Sequence, residues 1–202
     1  MSQPIEQRVA APRRKRADAE RNTAAVLDAA KAVFAESGVD APMRKIAARA
    51  GVGVGTIYRN YPHRSDLIIA VFRRELEATA AEADRLAEQF PPAQALRLWA
   101  ERLGRFLATK RGFASALHSG DPAYRPLPDQ FLGVLAPRVQ NILDAGARDG
   151  TLRDDMRAED LITALGRLGD SHPGDSADRA QRMTGVLLDG LLAAHARPES
   201  SA

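Results

Sequence analysis

The residues best suited to chemistry lie between Met43 and Pro62: Met-Arg-Lys-Ile-Ala-Ala-Arg-Ala-Gly-Val-Gly-Val-Gly-Thr-Ile-Tyr-Arg-Asn-Tyr-Pro. Thr56, Arg59 and Asn60 carry groups that read base edges, since an Arg fork pairs with guanine O6 and N7 and an Asn amide with adenine. Arg44 and, just beyond the stretch, Arg64 offer cations to phosphates. Other constellations carry less. Gly51-x-Gly53-x-Gly55 looks like a phosphate-cradling loop, yet such a loop follows a β-strand, and Met43 to Ala50 reads as helix. His63, His118, His172 and His195 stand apart without metal-ligand spacing, so neither a metal site nor a cofactor is expected. The pairs Asp154/Asp155 and Glu159/Asp160 sit beside a turn and a helix start, where the helix dipole accounts for them without catalysis. No Ser-His-Asp order around a strained elbow is present, and the absence of Cys excludes disulfides, thiolate ligands and a cysteine nucleophile. The chemistry on offer is recognition of a polyanion, and no enzyme is expected.

Two short helices must hold these groups. In the first, Ile46, Ala47 and Ala50 share one face, and Gly51 stands where a helix ends with positive φ. Val52 reads as the buried residue of a tight turn and Gly53 as an N-cap. A second helix from Val54 to Tyr61 turns Ile57 inward and leaves Thr56, Tyr58, Arg59, Asn60 and Tyr61 mostly outward. Pro62 then stops it. Two short helices about a Gly turn form a helix-turn-helix, whose second helix lies in the major groove of DNA.

The stretch Ile46-Ala-Ala-Arg-Ala-Gly-Val-Gly-Val-Gly-Thr-Ile-Tyr-Arg-Asn-Tyr-Pro-His-Arg-Ser-Asp-Leu67 resembles the signature of the TetR (tetracycline-repressor-like) transcriptional regulators. The resemblance is close over about residues 17 to 75 and weak beyond. It implies an all-helical homodimer that binds a palindromic double-stranded DNA operator and releases it on binding a small-molecule effector. It also implies that the Tyr58 and Tyr61 hydroxyls lie near phosphates, although a buried place for their rings explains them as well. Two positions depart from the pattern: Gly53 stands where Ser is common, and Val54, followed by Gly55, stands where Lys is frequent. The second change removes a phosphate contact and shifts the expected footprint towards Arg44, Arg59 and Arg64.

Charge agrees with this division. Residues 8–64 hold 12 Lys/Arg against 5 Asp/Glu, a segment of +7, so with a total of +3 the remainder carries −4. A basic segment joined to a mildly acidic one suits a phosphate-binding head on a body that does not touch DNA. Ala and Leu abound while aromatic residues are only 5%, which favours helices over strands. No apolar run approaches a membrane span, and the N-terminus lacks a signal-peptide core, so no membrane partner and a cytoplasmic place are expected.

The expected architecture is all-α: a three-helix helix-turn-helix DNA-binding head plus a C-terminal helical bundle for ligand binding and dimerisation. Residues 1–16, with Arg13-Arg-Lys-Arg16, read as a disordered basic arm; 17–64 as the DNA-binding domain; 65–196 as the effector and dimerisation domain; 197–202 as a frayed tail. A first helix is expected from Asp18 or Arg21 to Ser37, with Asp40 as a cap for the next and Pro42 in its first turn. A long helix should run from Arg64–Asp66 to about Gln89, broken by Pro91-Pro92, as a lever between head and body. Further helices are expected over 93–109, 112–118, 129–148 (kinked or broken at Pro137), 158–169 and 176–195. A Pro-rich loop, 120–128, stands between the second and third of these. Trp99, Leu103, Phe106, Phe113 and His118 are the candidate effector pocket, although a plain core explains the aromatic residues equally well. The body's net charge favours a neutral or cationic apolar effector. Leu161, Leu165, Met183, Leu187 and Leu191 are the candidate dimer interface. A DNA-organising structural protein without effector control is the alternative.

Overall fold

The computed structural model describes residues 10–111, 120–169 and 177–192, and the regular elements among them are helical, apart from one isolated antiparallel bridge between Leu152 and Leu192. The chain divides into two compact units, Met1–Val71 and Phe72–Ala202. Expectations for the first nine residues, for a helix over 112–118 with Phe113 and His118, and for the tail beyond 192 lie outside the described residues.

The first unit holds α1 (Ala10–Ser37), α2 (Met43–Ala50), α3 (Val54–Asn60) and the first turns of α4 (Arg64–Gln89). α1 begins at Ala10, ahead of the expected Asp18 or Arg21, so residues 10–16 of the supposed disordered arm are helix. Pro12 falls in the first turn, where its missing N–H is not needed, and the Arg, Lys and Ala that follow are strong helix formers. Val26, Ala29, Ala30, Val33 and Phe34 are the buried face of α1. Gly38, with φ 74°, turns the chain away, and its N–H donates to the Phe34 carbonyl at 2.9 Å. Pro42 takes the N-cap of α2 with no side-chain cap, so Asp40 does not serve there. The reason is local: the Pro42 carbonyl already receives the Lys45 N–H at 2.8 Å, and fixed φ presets the helix start.

The second unit contains the rest of α4, α5 (Pro92–Arg111), a 3-10 turn (Pro122–Tyr124), α6 (Leu127–Arg148), α7 (Ala158–Gly169) and α8 (Ala177–Asp189). α5 packs on α6 and α7, and α7 packs on both α6 and α8. Leu96, Trp99, Leu103, Leu135, Val139, Ile142, Leu161 and Ile162 make its core. α6 runs through Pro137 without a break, so of the expected kink or break the break does not occur. Pro137 is exposed, and the carbonyl that loses its helical donor belongs to Gly133, which is exposed to solvent. Asp121 caps the 3-10 turn by accepting from the Ala123 N–H at 2.9 Å, and Tyr124 is buried, so part of the Pro-rich stretch is ordered. α8 stops at Asp189 rather than 195, because Gly190 weakens the helix and the Leu191 carbonyl pairs with the Arg153 N–H at 3.0 Å. Gly146 lets that segment approach α6: a Cβ there would stand 2.5 Å from Leu152 Cδ1.

Candidate nucleic-acid interface

The turn between α2 and α3 is built by backbone bonds. Gly51 adopts φ 68° and ψ 28°, and its N–H and that of Val52 donate to Ala48 and Ala47 at 3.3 and 3.1 Å. A side chain at that φ would be strained, which fixes glycine there. Val52 is half-buried rather than buried. Gly53 is the extended N-cap of α3, and its carbonyl accepts from the Thr56 N–H at 2.9 Å. Met43, Ile46, Ala47 and Ile57 are buried, and they fix the angle at which the two helices meet.

Burying Ile57 forces its neighbours outward. Val54 is 42% and Tyr58 51% exposed. Gly55, Arg59 and Asn60 are exposed too, while Thr56 and Tyr61 are half-buried. One short helix therefore presents a hydroxyl, a phenol, a guanidinium, an amide and an isopropyl group to solvent.

The cations around this surface divide into two sets. Arg49 pairs with Glu36 at 2.6 Å and Lys45 donates to Ser37 Oγ at 2.7 Å, so both hold α2 to the end of α1. Arg64 is half-buried, and its Nη1 donates to the carbonyls of Val39 and Ala41, the latter at 2.7 Å. Arg44 and Arg59, by contrast, are exposed and form no ion pair among the described residues. Asp66 stabilises the start of α4 by accepting from the His63 N–H at 2.8 Å.

The second unit separates the residues that the sequence groups as a pocket. Trp99 is wholly buried, and its Nε1–H donates to the Thr79 carbonyl at 3.1 Å. Phe106 is buried between Phe72, edge-on at 5.6 Å, and Phe131, stacked at 5.7 Å. Both are core, because rings of that size gain most by full burial. A cavity of 630 Å³ instead opens among α5, α7 and α8. Leu103, Leu107, Leu165 and Leu188 give it apolar walls, and Arg97, Glu101, Arg105, Gln181 and Thr184 line it with polar groups. Of the expected pocket residues described, Leu103 alone borders it. The signal missed was the run of small residues at Ala100 and Gly104 of α5 and at Ala180 and Gly185 of α8, which leaves the space unfilled.

The expected dimer residues also separate. Leu161, Leu165 and Leu191 are buried within the chain itself and have no surface left for a partner. Leu187 is half-buried, whereas Met183 is 44% exposed and Val186, which is absent from the expected interface, 62%. These two lie three residues apart on α8 and so share a face.

Comparison with known proteins agrees with this geometry. Residues 26–71 match the model for "Bacterial regulatory proteins, tetR family" and residues 91–193 that for "Transcriptional regulator SbtR-like, C-terminal domain". A TetR transcriptional regulator from Streptomyces coelicolor is 35% identical, with 84% of this chain and 98% of that one aligned and a TM-score of 0.71. A TetR regulatory protein from Mycobacterium vanbaalenii is 32% identical over 88% and 98% of the two chains, with a TM-score of 0.68. The HTH-type transcriptional repressor KstR of Mycolicibacterium smegmatis is 41% identical over 63 residues, which span 31% of either chain. The match to that repressor thus covers about a third of its length.

Proposed function

The chain belongs to the TetR family of bacterial regulatory proteins, and from that premise we propose that it is a repressor that binds a palindromic operator as a homodimer and leaves it on binding a small molecule. One observation carries the reading: the exposed surface of α3 holds Tyr58, Arg59 and Asn60 without a structural task for Arg59 among the described residues. α3 enters the major groove. Arg59 pairs with guanine, Asn60 with adenine, Thr56 with a base edge, and the isopropyl group of Val54 meets a thymine methyl. Gly55 keeps the first turn of α3 slim enough for close approach. Arg44 and the hydroxyls of Tyr58 and Tyr61 fix register on phosphates.

Residues 17–64 act as the DNA-binding head and 65–196 as the effector and dimerisation body, with α8 presenting Met183 and Val186 to a second copy. A two-fold axis then places two α3 helices on half-sites one helical turn or a multiple apart. The effector occupies the cavity of α5, α7 and α8, whose 630 Å³ falls within the range of small-molecule sites. It acts by preferring the conformation that does not fit the operator, since a ligand shifts an equilibrium only by its differential affinity. The protein works by binding alone and in the cytoplasm, where its DNA is. Selection from a random pool of duplexes tests the reading. An enriched inverted repeat supports it, and recovery of sequences with no common motif refutes it.

A further inference from the structure

We propose that Arg64 is a positioning residue that closes the helix-turn-helix into one rigid unit, rather than a contact to phosphate. The helix-turn-helix is entered through the turn 38–42 and left through Tyr61 to His63. Arg64, the first residue of α4, reaches back across that whole unit. Its Nη1 donates to the carbonyls of Val39 and Ala41, just before α2, over separations of 25 and 23 residues. The entry and exit of the DNA-reading unit are thereby fastened by one side chain. Val39 and Ala41 are themselves buried, so their carbonyls have few other partners.

Geometry argues for a fastening over a phosphate contact. Arg64 is half-buried and its guanidinium donates to backbone, whereas Arg44 and Arg59 are exposed. A charged donor spent on two carbonyls holds better than a neutral one. Without it, α2 and α3 would hinge at Gly38 and at Pro62. With it, they follow the first turn of α4 as one body, so the orientation of α3 is set by Arg64. Asp66, accepting from the His63 N–H at 2.8 Å, holds the same exit from the other side.

The inference rests on the proposal that α3 reads duplex DNA, and the test separates the two. Operator affinity of the wild type and of Arg64→Met is measured across a series of salt concentrations, with amide exchange of peptides from residues 39–61 measured without DNA. A lost phosphate contact would reduce the salt slope by about 0.9. A lost fastening should weaken binding on the order of ten-fold with the slope unchanged, and raise exchange over 39–61 several-fold. Arg64→Lys keeps the charge but not the fork, so it should restore the affinity and the protection only in part. This variant carries the test if Arg64→Met loses its helical circular dichroism. A slope reduced by about one unit, exchange unaltered by either variant, or full affinity in Arg64→Lys overturns the inference. Failure of the wild type to bind any duplex overturns the functional proposal instead, while the exchange still reads the fastening.

Discussion

The two units of the molecule differ in how their functional groups are held. In the head, backbone bonds in a tight turn and a few buried apolar residues decide which side chains face outward. In the body, what faces a cavity or a partner is decided by which helices meet. The difference teaches that a recognition helix can be read almost residue by residue, whereas a cavity is a property of packing. Each half of that statement can be broken separately.

The largest effect should come from the body's exposed face. Met183→Lys with Val186→Lys places charge on the apolar strip of α8. Loss of the dimer should cost operator binding about 10²- to 10⁴-fold, the gain that joining two sites ordinarily provides. Sedimentation should then show a monomer, and a wild type already monomeric at micromolar concentration would remove the strip's role. Next comes the core. Trp99→Ala should cost roughly 3–5 kcal/mol of stability in urea unfolding, with base preference untouched. A changed preference in the folded variant would show that the body shares in reading.

Smaller effects sharpen the head. Arg59→Ala should cost about 1–3 kcal/mol of operator binding and relax discrimination at one position, with thermal stability kept. The smallest lies at the end of α6. Asp149 is fully exposed, and the Thr151 hydroxyl and N–H, donating at 2.5 and 3.0 Å, hold its carboxyl below the usual range. A folded value depressed in this way stabilises above the unfolded carboxylate pKa and is lost as pH falls through the folded one. Asp149→Asn should therefore lower the melting temperature slightly at neutral pH and not in strong acid.

Particular residues show why the sequence served one unit better. Gly51, Ile57 and Pro62 announce the α2–α3 turn through local rules, so the outward place of Tyr58, Arg59 and Asn60 could be read before any contact was known. The task of Arg64 could not, because its partners lie 23 and 25 residues away and are backbone atoms. In the body, the apolar period of α5 marked Trp99, Leu103 and Phe106 as facing inward but not what they would meet. Trp99 and Phe106 met core, and Leu103 met the cavity that Gly104 and Gly185 leave open. In and just beyond α8 the same period marked Leu187 and Leu191 but missed Val186, since only the packed neighbours show which flank of a stripe is left uncovered. The body's acidic balance, read from the sequence as favouring a neutral or cationic effector, likewise says nothing of a cavity lined by Arg97 and Arg105 beside Glu101.

The central claim is that α3 reads base sequence through Arg59, and the most direct measurement compares the motifs that wild type and Arg59→Ala select from one random duplex pool. The account predicts an inverted repeat for the wild type, with half-sites about 10 base pairs apart or a multiple of that. For Arg59→Ala it predicts the same repeat with one position in each half-site no longer specified. Identical motifs from both proteins would contradict it.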